Sequence, residues 1–148
     1  MGKQSQTDFH GENTHHPFTL YPTDGTSRVK TIEVWAGWGS GDAEGYWVLK
    51  GIQLTWFNGD VDKVYNHPKD NDKYSSYTFE KEEHASWSIR AGSRIVRFDI
   101  DTSTGHHWDC GEDGGPLFQH VANGFLVGFE GSAGWEVDYL SFRYETLD

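Results

Sequence analysis

Three segments of this sequence share one order: a short apolar strand, a glycine-containing loop, an alternating strand and a turn. The first joins residues 32–35 to 49–57, the second joins 87–90 to 95–100, and the third joins 125–129 to 137–144. Alternation of this kind buries one face of a strand. Self-similarity at a spacing of about 40 to 50 residues is typical of a repeated supersecondary unit. The pattern therefore predicts three similar sheet units that close on one another.

The composition agrees with an all-β fold. The chain has 18 Gly, 7 Trp, 7 Tyr and 9 Phe residues, and no segment carries a 3.6-residue apolar period of helical length. A length of 148 residues fits a single domain, 1–148, with its own core, and we expect residues 1–8 to be frayed. The single cysteine, Cys110, cannot form an intrachain disulfide, so the fold does not depend on an oxidising compartment.

The formal net charge of -11 argues against binding nucleic acid or an anionic membrane surface, because both require clustered Lys and Arg. The longest apolar runs are far shorter than a spanning helix, so we expect no membrane insertion. Polar residues follow Met1, where a secretory signal would have an apolar region. We therefore expect a cytoplasmic protein, or one released without a signal peptide.

The first repeat has two local signals. Asn58-Gly59 lies between apolar runs and predicts a tight hairpin turn, with residues 61–65 as the return strand. Residues 36–45 contain four glycines and are expected to form a long flexible loop. Its aromatic neighbours are Trp35, Trp38, Tyr46 and Trp47. The lengthened loop could extend a binding surface or an interface.

The histidines and acids do not match a metal or cofactor motif. His15-His16 and His106-His107 are adjacent pairs, and adjacent strand residues point to opposite faces, so at most one imidazole of each pair could serve one site. The D-x-D spacings 60–62 and 70–72 lack the glycine and glutamate of a calcium loop, which favours solvated loop charge. We expect neither a metal ion nor a cofactor.

The C-terminal stretch 131–142 is the strongest candidate for a binding site. Gly134 and Asp138 are four residues apart in a short loop between two strands. Such a loop is stiff, so it holds its backbone N–H groups and the Asp138 carboxylate in fixed positions. A rigid array of donors beside one acceptor suits a neutral polyol such as a sugar. In the alternative interpretation, Asp138 only caps its own loop and Trp135 packs between sheets.

Residues 128–142, with the sequence Gly-Phe-Glu-Gly-Ser-Ala-Gly-Trp-Glu-Val-Asp-Tyr-Leu-Ser-Phe, resemble the closing motif of the jacalin-related lectins. Residues 89–102 are similar to the middle repeat of that family, and residues 115–118 resemble its glycine-rich stretch before a phenylalanine. The likeness covers roughly residues 9–145. It implies a β-prism of three four-stranded Greek-key sheets with pseudo-threefold symmetry, which the three repeated segments suggest independently.

The resemblance also implies a function. It points to a non-catalytic carbohydrate-binding lectin of the mannose/glucose type, with glycans as partners and with homo-oligomers as a source of avidity. In that family the Asp of a G-x-x-x-D loop accepts from two sugar hydroxyls, and neighbouring backbone N–H groups donate. Carried over residue by residue, the sugar site comprises Gly134, Trp135, Glu136 and Asp138, and the middle-repeat loop of Gly92, Ser93 and Arg94 lines the pocket from the side. The N-terminal glycine loop of the family would contribute Gly11, although only this one glycine remains here.

Aligned on the strand after each loop, Asp138 corresponds to Val96 in the middle repeat and to Lys50 in the first. Valine has no polar group and lysine has no acceptor, so we expect one site of this kind. Two alternatives stay open. One is a glycan- or protein-targeting module of a toxin or defence assembly, with a weakened sugar site. The other is a hydrolase built on two converging acids, although no G-x-S-x-G nucleophile motif is present.

Overall fold

The computed structural model describes residues 2–147, and Met1 and Asp148 lie outside the described residues. Twelve β-strands and one short 3-10 turn, Gly41–Ala43, make up the regular structure of this part of the chain. The strands are β1 Gln4–Gln6, β2 His10–Gly11, β3 Pro17–Leu20, β4 Val29–Trp38, β5 Trp47–Trp56, β6 Val61–Tyr65, β7 Lys73–Thr78, β8 Ala85–Ala91, β9 Ile95–Thr102, β10 His107–Gly111, β11 Leu117–Ala133 and β12 Val137–Glu145. The expected all-β class is confirmed.

The strands form three antiparallel sheets. The first has the order β6-β5-β4-β7, and the middle sheet pairs β10 with β9, β9 with β8, and β8 with the first half of β11. The second half of β11 pairs with β3 and β12 in the third sheet. Both β1 and β2 pair with β12, at different points along it, and together they supply the fourth strand. The long strand β11 therefore joins two of the three sheets of the prism.

The core lies between the three sheets and is rich in aromatic rings. Trp87 from the middle sheet and Phe129 and Phe142 from the third sheet are each at most 1% exposed. Phe142 meets Phe129 edge-to-face at 5.0 Å and Trp87 at 5.4 Å between ring centroids, a geometry that the ring quadrupoles favour. Burying a side chain of this size stabilises the fold by roughly 1.5–3 kcal/mol. The alternating apolar residues of the sequence therefore face one shared core.

The strand register shows that the three repeats are equivalent. In each repeat a register shift precedes an alanine, and this alanine then pairs with the strand that follows the loop: Ala36 with Leu49, Ala91 with Ile95, and Ala133 with Val137. The next residue along the chain is Lys50, Val96 or Asp138. The pairing supports the expected alignment of these three residues.

Two expectations about local order were wrong. Residues Gln4–Gln6 are not frayed, because they pair with Arg143, Tyr144 and Glu145 along an edge of β12 whose backbone groups would otherwise lack partners. Residues 36–45 are not one flexible loop, since β4 continues to Trp38 and pairs with the start of β5. The lengthened first loop is thus largely a hairpin extension. The turn at Asn58-Gly59 is confirmed by a hydrogen bond from the N–H of Gly59 to the carbonyl of Trp56 (2.9 Å).

Within residues 2–147, no helix is long and apolar enough to cross a membrane.

Candidate functional site

The loop between β11 and β12 is closed by the carboxylate of Asp138. Its Oδ2 atom accepts hydrogen bonds from the backbone N–H of Gly134 (2.9 Å) and from the hydroxyl of Thr14 (2.7 Å). Thr14 comes from the segment between β2 and β3. One oxygen of Asp138 therefore fixes both the loop and the N-terminal segment that crosses it.

Arg94, from the loop between β8 and β9, lies between two buried carboxylates. Its Nε atom is 2.9 Å from Glu136 Oε1 and 3.0 Å from Asp138 Oδ1. Glu136 and Asp138 are each 2% exposed, so this guanidinium compensates charge that water does not reach. The second oxygen of Glu136 accepts from the hydroxyl of Ser40 (2.8 Å), so the Glu136 side chain is fully occupied within the fold.

The second oxygen of Asp138, Oδ1, differs from Oδ2 in its hydrogen bonding. The Arg94 Nε–H donates to Glu136, and Asp138 Oδ1 is buried without a hydrogen-bond donor among residues 2–147. Burial raises the pKa of Asp138 above its ordinary value, although the hydrogen bonds from Thr14 and Gly134 and the charge of Arg94 act in the opposite direction. Asp138 thus keeps one acceptor atom with unused hydrogen-bonding capacity.

Trp135 lies at the tip of this loop and is 53% exposed. One face of its indole stacks on the ring of His67, with centroids 3.8 Å apart and the rings 4° from parallel. The amide of Asn66 donates to the carbonyls of Ala133 and Gly134, at 3.0 Å each, and so fixes the first half of the loop. Trp135 is therefore not packed between sheets. The alternative interpretation of this residue was wrong.

Two backbone N–H groups at the loop tip lie outside the strand pairing. Among residues 2–147, those of Trp135 and Glu136 meet no hydrogen-bond acceptor, and both residues lie outside the strands. Two free donors thus lie within three residues of the buried carboxylate of Asp138.

Gly11 lies behind Asp138 and does not reach its side chain. Its φ of 96° is in the left-handed region, and an added Cβ would lie 2.1 Å from the backbone carbonyl oxygen of Asp138. The next residue, Glu12, donates its N–H to the same carbonyl (2.8 Å). Gly11 therefore allows a close backbone approach, and Thr14 makes the contact with the carboxylate.

Gly92 and Ser93 line a neighbouring cavity together with Trp38 and Trp47. Of the loop that contains them, Arg94 is the residue that extends from this cavity to Asp138. Of the three residues expected to flank the sugar pocket, Gly92 and Ser93 therefore lie at the neighbouring cavity, and Arg94 reaches Asp138.

The equivalent positions of the other repeats carry different chemistry. Lys50 is 3% exposed and its Nζ is 3.1 Å from the carboxylate of Asp72, whose side chain is 1% exposed. The expectation that Asp72 is solvated loop charge was therefore wrong, because this buried ion pair and a hydrogen bond from Tyr65 hold it in place. Val96 is 9% exposed and contributes only apolar surface.

His107 has acidic neighbours on strands β9 and β10. Ligand atoms of Asp99, His107 and Asp109 lie within 4.8 Å of one another. However, Arg97 already pairs with both acids, through Nε to Asp99 (2.8 Å) and Nη2 to Asp109 (3.3 Å). A cation at this place would have to compete with the guanidinium. Hydrogen bonding to Asp101 raises the pKa of His107, which favours an ion-pair network.

Several residues of the site were missed by the sequence analysis. They come from separate parts of the chain and are brought together only by the fold: Thr14, Ser40, Asn66 and His67. Of these four residues only Ser40 lies within a repeat, in the glycine loop of the first. The only signal for Thr14 was its position in a polar segment next to the predicted Gly11 loop.

No sequence-family model matches this chain, and no curated protein matches it by sequence. Its structure matches that of a lamprey immune protein with a TM-score of 0.74 and 16% identity, over 97% of this chain and 44% of that one. It also matches Calsepa lectin, solved in complex with a bisected glycan, with a TM-score of 0.72, 15% identity, and coverage of 99% and 100%. A mannose-binding lectin from champedak matches with a TM-score of 0.70, 16% identity, and coverage of 98% of each chain.

Because the sequence identities are only 15–16%, these comparisons establish the fold alone. The chain has the β-prism fold of the jacalin-related mannose-binding lectins, which confirms the architecture expected from the resemblance. It spans nearly the whole of the two lectins but less than half of the lamprey immune protein.

Proposed function

We propose that this chain is a non-catalytic carbohydrate-binding protein whose principal site is the loop between β11 and β12. The observation that carries this proposal is Asp138 Oδ1, a buried carboxylate oxygen that lies 3.0 Å from Arg94 Nε but accepts no hydrogen bond from residues 2–147. Native proteins rarely leave such an atom unpaired. A sugar hydroxyl would supply the missing donor, while the N–H groups of Trp135 and Glu136 would donate to other hydroxyl oxygens of the same ring.

The ligands we propose are mannose/glucose-type glycans. The G-x-x-x-D spacing of Gly134 and Asp138 resembles that of the mannose-binding lectins, and one lectin with this fold is described as mannose-binding. The exposed face of Trp135, backed by His67, offers an apolar platform for a pyranose ring. Neutral hydroxyls also suit a chain with a net charge of -11 better than anionic sugars do.

Sugar binding at this site requires that Asp138 become accessible to the ligand. Because the residue is 2% exposed, a hydroxyl reaches Oδ1 only if a neighbouring group shifts, and Arg94 is the side chain that lies against this atom. We therefore expect weak binding of a monosaccharide, with a Kd of roughly millimolar order. Useful avidity would come from homo-oligomers or from multivalent glycans.

The test is a glycan array followed by calorimetric titration of the wild type and Asp138→Asn. The substitution preserves the shape of the side chain and removes its charge, so affinity should fall by about tenfold or more. Trp135→Ala should also weaken binding. Tyr74→Ala is the control, because Tyr74 is 50% exposed and lies on the first sheet. Unchanged affinity in Asp138→Asn, with the fold intact by circular dichroism, would contradict this site.

A second candidate function is a targeting module with a weakened sugar site, as part of a larger toxin or defence protein. The occlusion of Asp138 by Thr14 and Arg94 favours it, since both oxygens already lie against protein groups. A wild-type chain that binds no glycan on the array would favour this candidate over the first.

A further inference from the structure

A cavity of about 530 Å³ opens between the β4–β5 hairpin and the loops that follow β8 and β10. Small-ligand pockets have volumes of roughly 300–1,000 Å³, so a small organic molecule fits this space. The floor is apolar, because Ala43, Val48 and Val96 line it and form a small buried cluster separate from the main core. A ligand of this cavity therefore needs an apolar surface to cover the floor.

The walls of the cavity are aromatic. Trp38 and Trp47 are cross-strand partners, with ring centroids 5.1 Å apart and ring planes at 89°. Tyr46 lines the same cavity. Trp38 is 54% exposed and Tyr46 is 67% exposed, so their rings are open to a ligand. The faces of aromatic rings attract cations through the ring quadrupole, and tryptophan does so most strongly.

The hairpin that carries these walls is held by its own backbone hydrogen bonds. The N–H of Gly39 donates to the carbonyl of Tyr46 (2.8 Å), and the N–H of Tyr46 donates to the carbonyl of Ala43 (3.0 Å). The 3-10 turn Gly41–Ala43 closes the tip. Because the backbone of the walls is already ordered, a ligand loses less affinity to their immobilisation.

The rim of the cavity is acidic. Asp42, Glu112 and Asp113 line it. Asp113 is 3.9 Å from the guanidinium groups of both Arg90 and Arg97, at the outer limit of an ion pair. Among residues 2–147, these arginines and Arg94 pair with other acids, and Asp42 and Glu112 have no basic partner. Unpaired carboxylates attract a cation and repel an anion.

Arg94 is the one basic residue that lines the cavity, and its charge is already compensated. Its Nε atom lies against the carboxylates of Glu136 and Asp138. Its Nη1 and Nη2 groups donate to the carbonyls of Ser93 and Ser40. The guanidinium therefore does not offset the negative charge of the rim.

We propose that this cavity binds a quaternary ammonium group, with its methyl groups against the aromatic walls and the rim carboxylates supplying the opposite charge. Such a group combines an apolar surface with a positive charge and has no N–H donor that requires an acceptor. A bare metal ion would find no ligand atoms on the apolar floor, and an anion would meet the carboxylates. The site is separate from the sugar function proposed for the Asp138 loop and does not depend on it.

The experiment is titration of the wild type with choline and with its neutral isostere, in which carbon replaces the nitrogen. Choline should bind with a Kd of roughly millimolar order and about tenfold more tightly than the isostere. Trp38→Ala should weaken choline binding by about tenfold. Tyr46→Ala should also weaken it, and because Tyr46 is 67% exposed, this variant keeps the test valid if Trp38→Ala folds poorly.

The contribution of the rim is tested separately. The double variant Asp42→Asn, Glu112→Gln should bind choline about fivefold more weakly, and the affinity of the wild type should fall as the salt concentration rises. Asp62→Asn is the matched control, because Asp62 is an exposed acid on β6 that does not line the cavity. It should bind choline as the wild type does.

Two results would overturn the proposal: equal affinity for choline and its isostere, or choline binding that neither Trp38→Ala nor Tyr46→Ala weakens. Absence of choline binding would also overturn it and would leave the Asp138 site, which is measured with mannose, untouched. Phosphatidylcholine vesicles distinguish two sources of the group. Co-sedimentation that is lost in Trp38→Ala would assign a lipid headgroup, whereas binding of free choline alone would assign a soluble quaternary amine.

Discussion

Replacing Arg94 tests the electrostatics of the candidate site most directly. Its Nε atom lies 2.9 Å from Glu136 and 3.0 Å from Asp138, and both carboxylates are 2% exposed. Arg94→Ala would leave two buried negative charges without a counter-charge. Breaking a buried pair in this way costs about 3–5 kcal/mol of unfolding free energy. For a chain of this length, a loss of 3 kcal/mol corresponds to a fall in Tm of about 6–12 °C.

The measurement is urea unfolding followed by tryptophan fluorescence, at about pH 7 and about pH 4. Burial raises the pKa of Asp138 and the charge of Arg94 opposes that rise, so removal of Arg94 should raise the folded-state pKa of Asp138 further above its unfolded value. Such a group destabilises the fold above its folded pKa, and the cost disappears as protons bind at lower pH. The difference in stability between wild type and variant should therefore shrink on acidification.

Arg94→Lys is the matched control. An ammonium group keeps the charge, but it cannot also replace the guanidinium donors that reach the carbonyls of Ser40 and Ser93. Its stability should fall between those of the wild type and Arg94→Ala. A loss below about 1 kcal/mol in Arg94→Ala, or one that does not change with pH, would refute the reasoning that Arg94 compensates two buried ionised acids.

Two further predictions concern other buried charges. Lys50→Met should lower the unfolding free energy by about 3 kcal/mol, because it leaves Asp72 buried without its cation; adding Asp72→Asn should recover part of the loss in the same urea assay. Burial alone would raise the pKa of Glu83, but hydrogen bonds from Thr104 and Tyr77 lower it to about 2, from an ordinary value of 4.5. Because the folded pKa is depressed, this contribution is present above pH 4.5 and is lost as the pH falls towards 2. Glu83→Gln should therefore show a flatter stability profile over that window, and an unchanged profile would contradict the assignment.

The repeated frame of the fold could be read from the sequence because its signals are local. Alternating apolar residues determine which face of a strand is buried, and each glycine loop lies between two such strands. Asp138, Val96 and Lys50 could be aligned from these patterns alone, and the strand register supports that alignment.

The partners of the site residues depend on contacts between distant parts of the chain. Thr14 and Asp138 are separated by 124 positions, and β1 pairs with a strand at the opposite end of the chain. No local pattern specifies such neighbours. For the same reason, the burial of Asp138 and of Asp72 could not be predicted, since each depends on side chains that other loops supply.

The middle repeat supplies the cation that the third repeat needs. With Val96 in place of an acid, the middle loop closes on its own backbone, and the N–H of Gly92 donates to the carbonyl of Arg94 (3.0 Å). In the third repeat the equivalent N–H, that of Gly134, donates to Asp138 instead. The guanidinium of Arg94 therefore has no acid of its own repeat to pair with at this position, and it extends across to Glu136 and Asp138. The valine at position 96 and the buried, compensated carboxylate of Asp138 are thus parts of the same electrostatic arrangement.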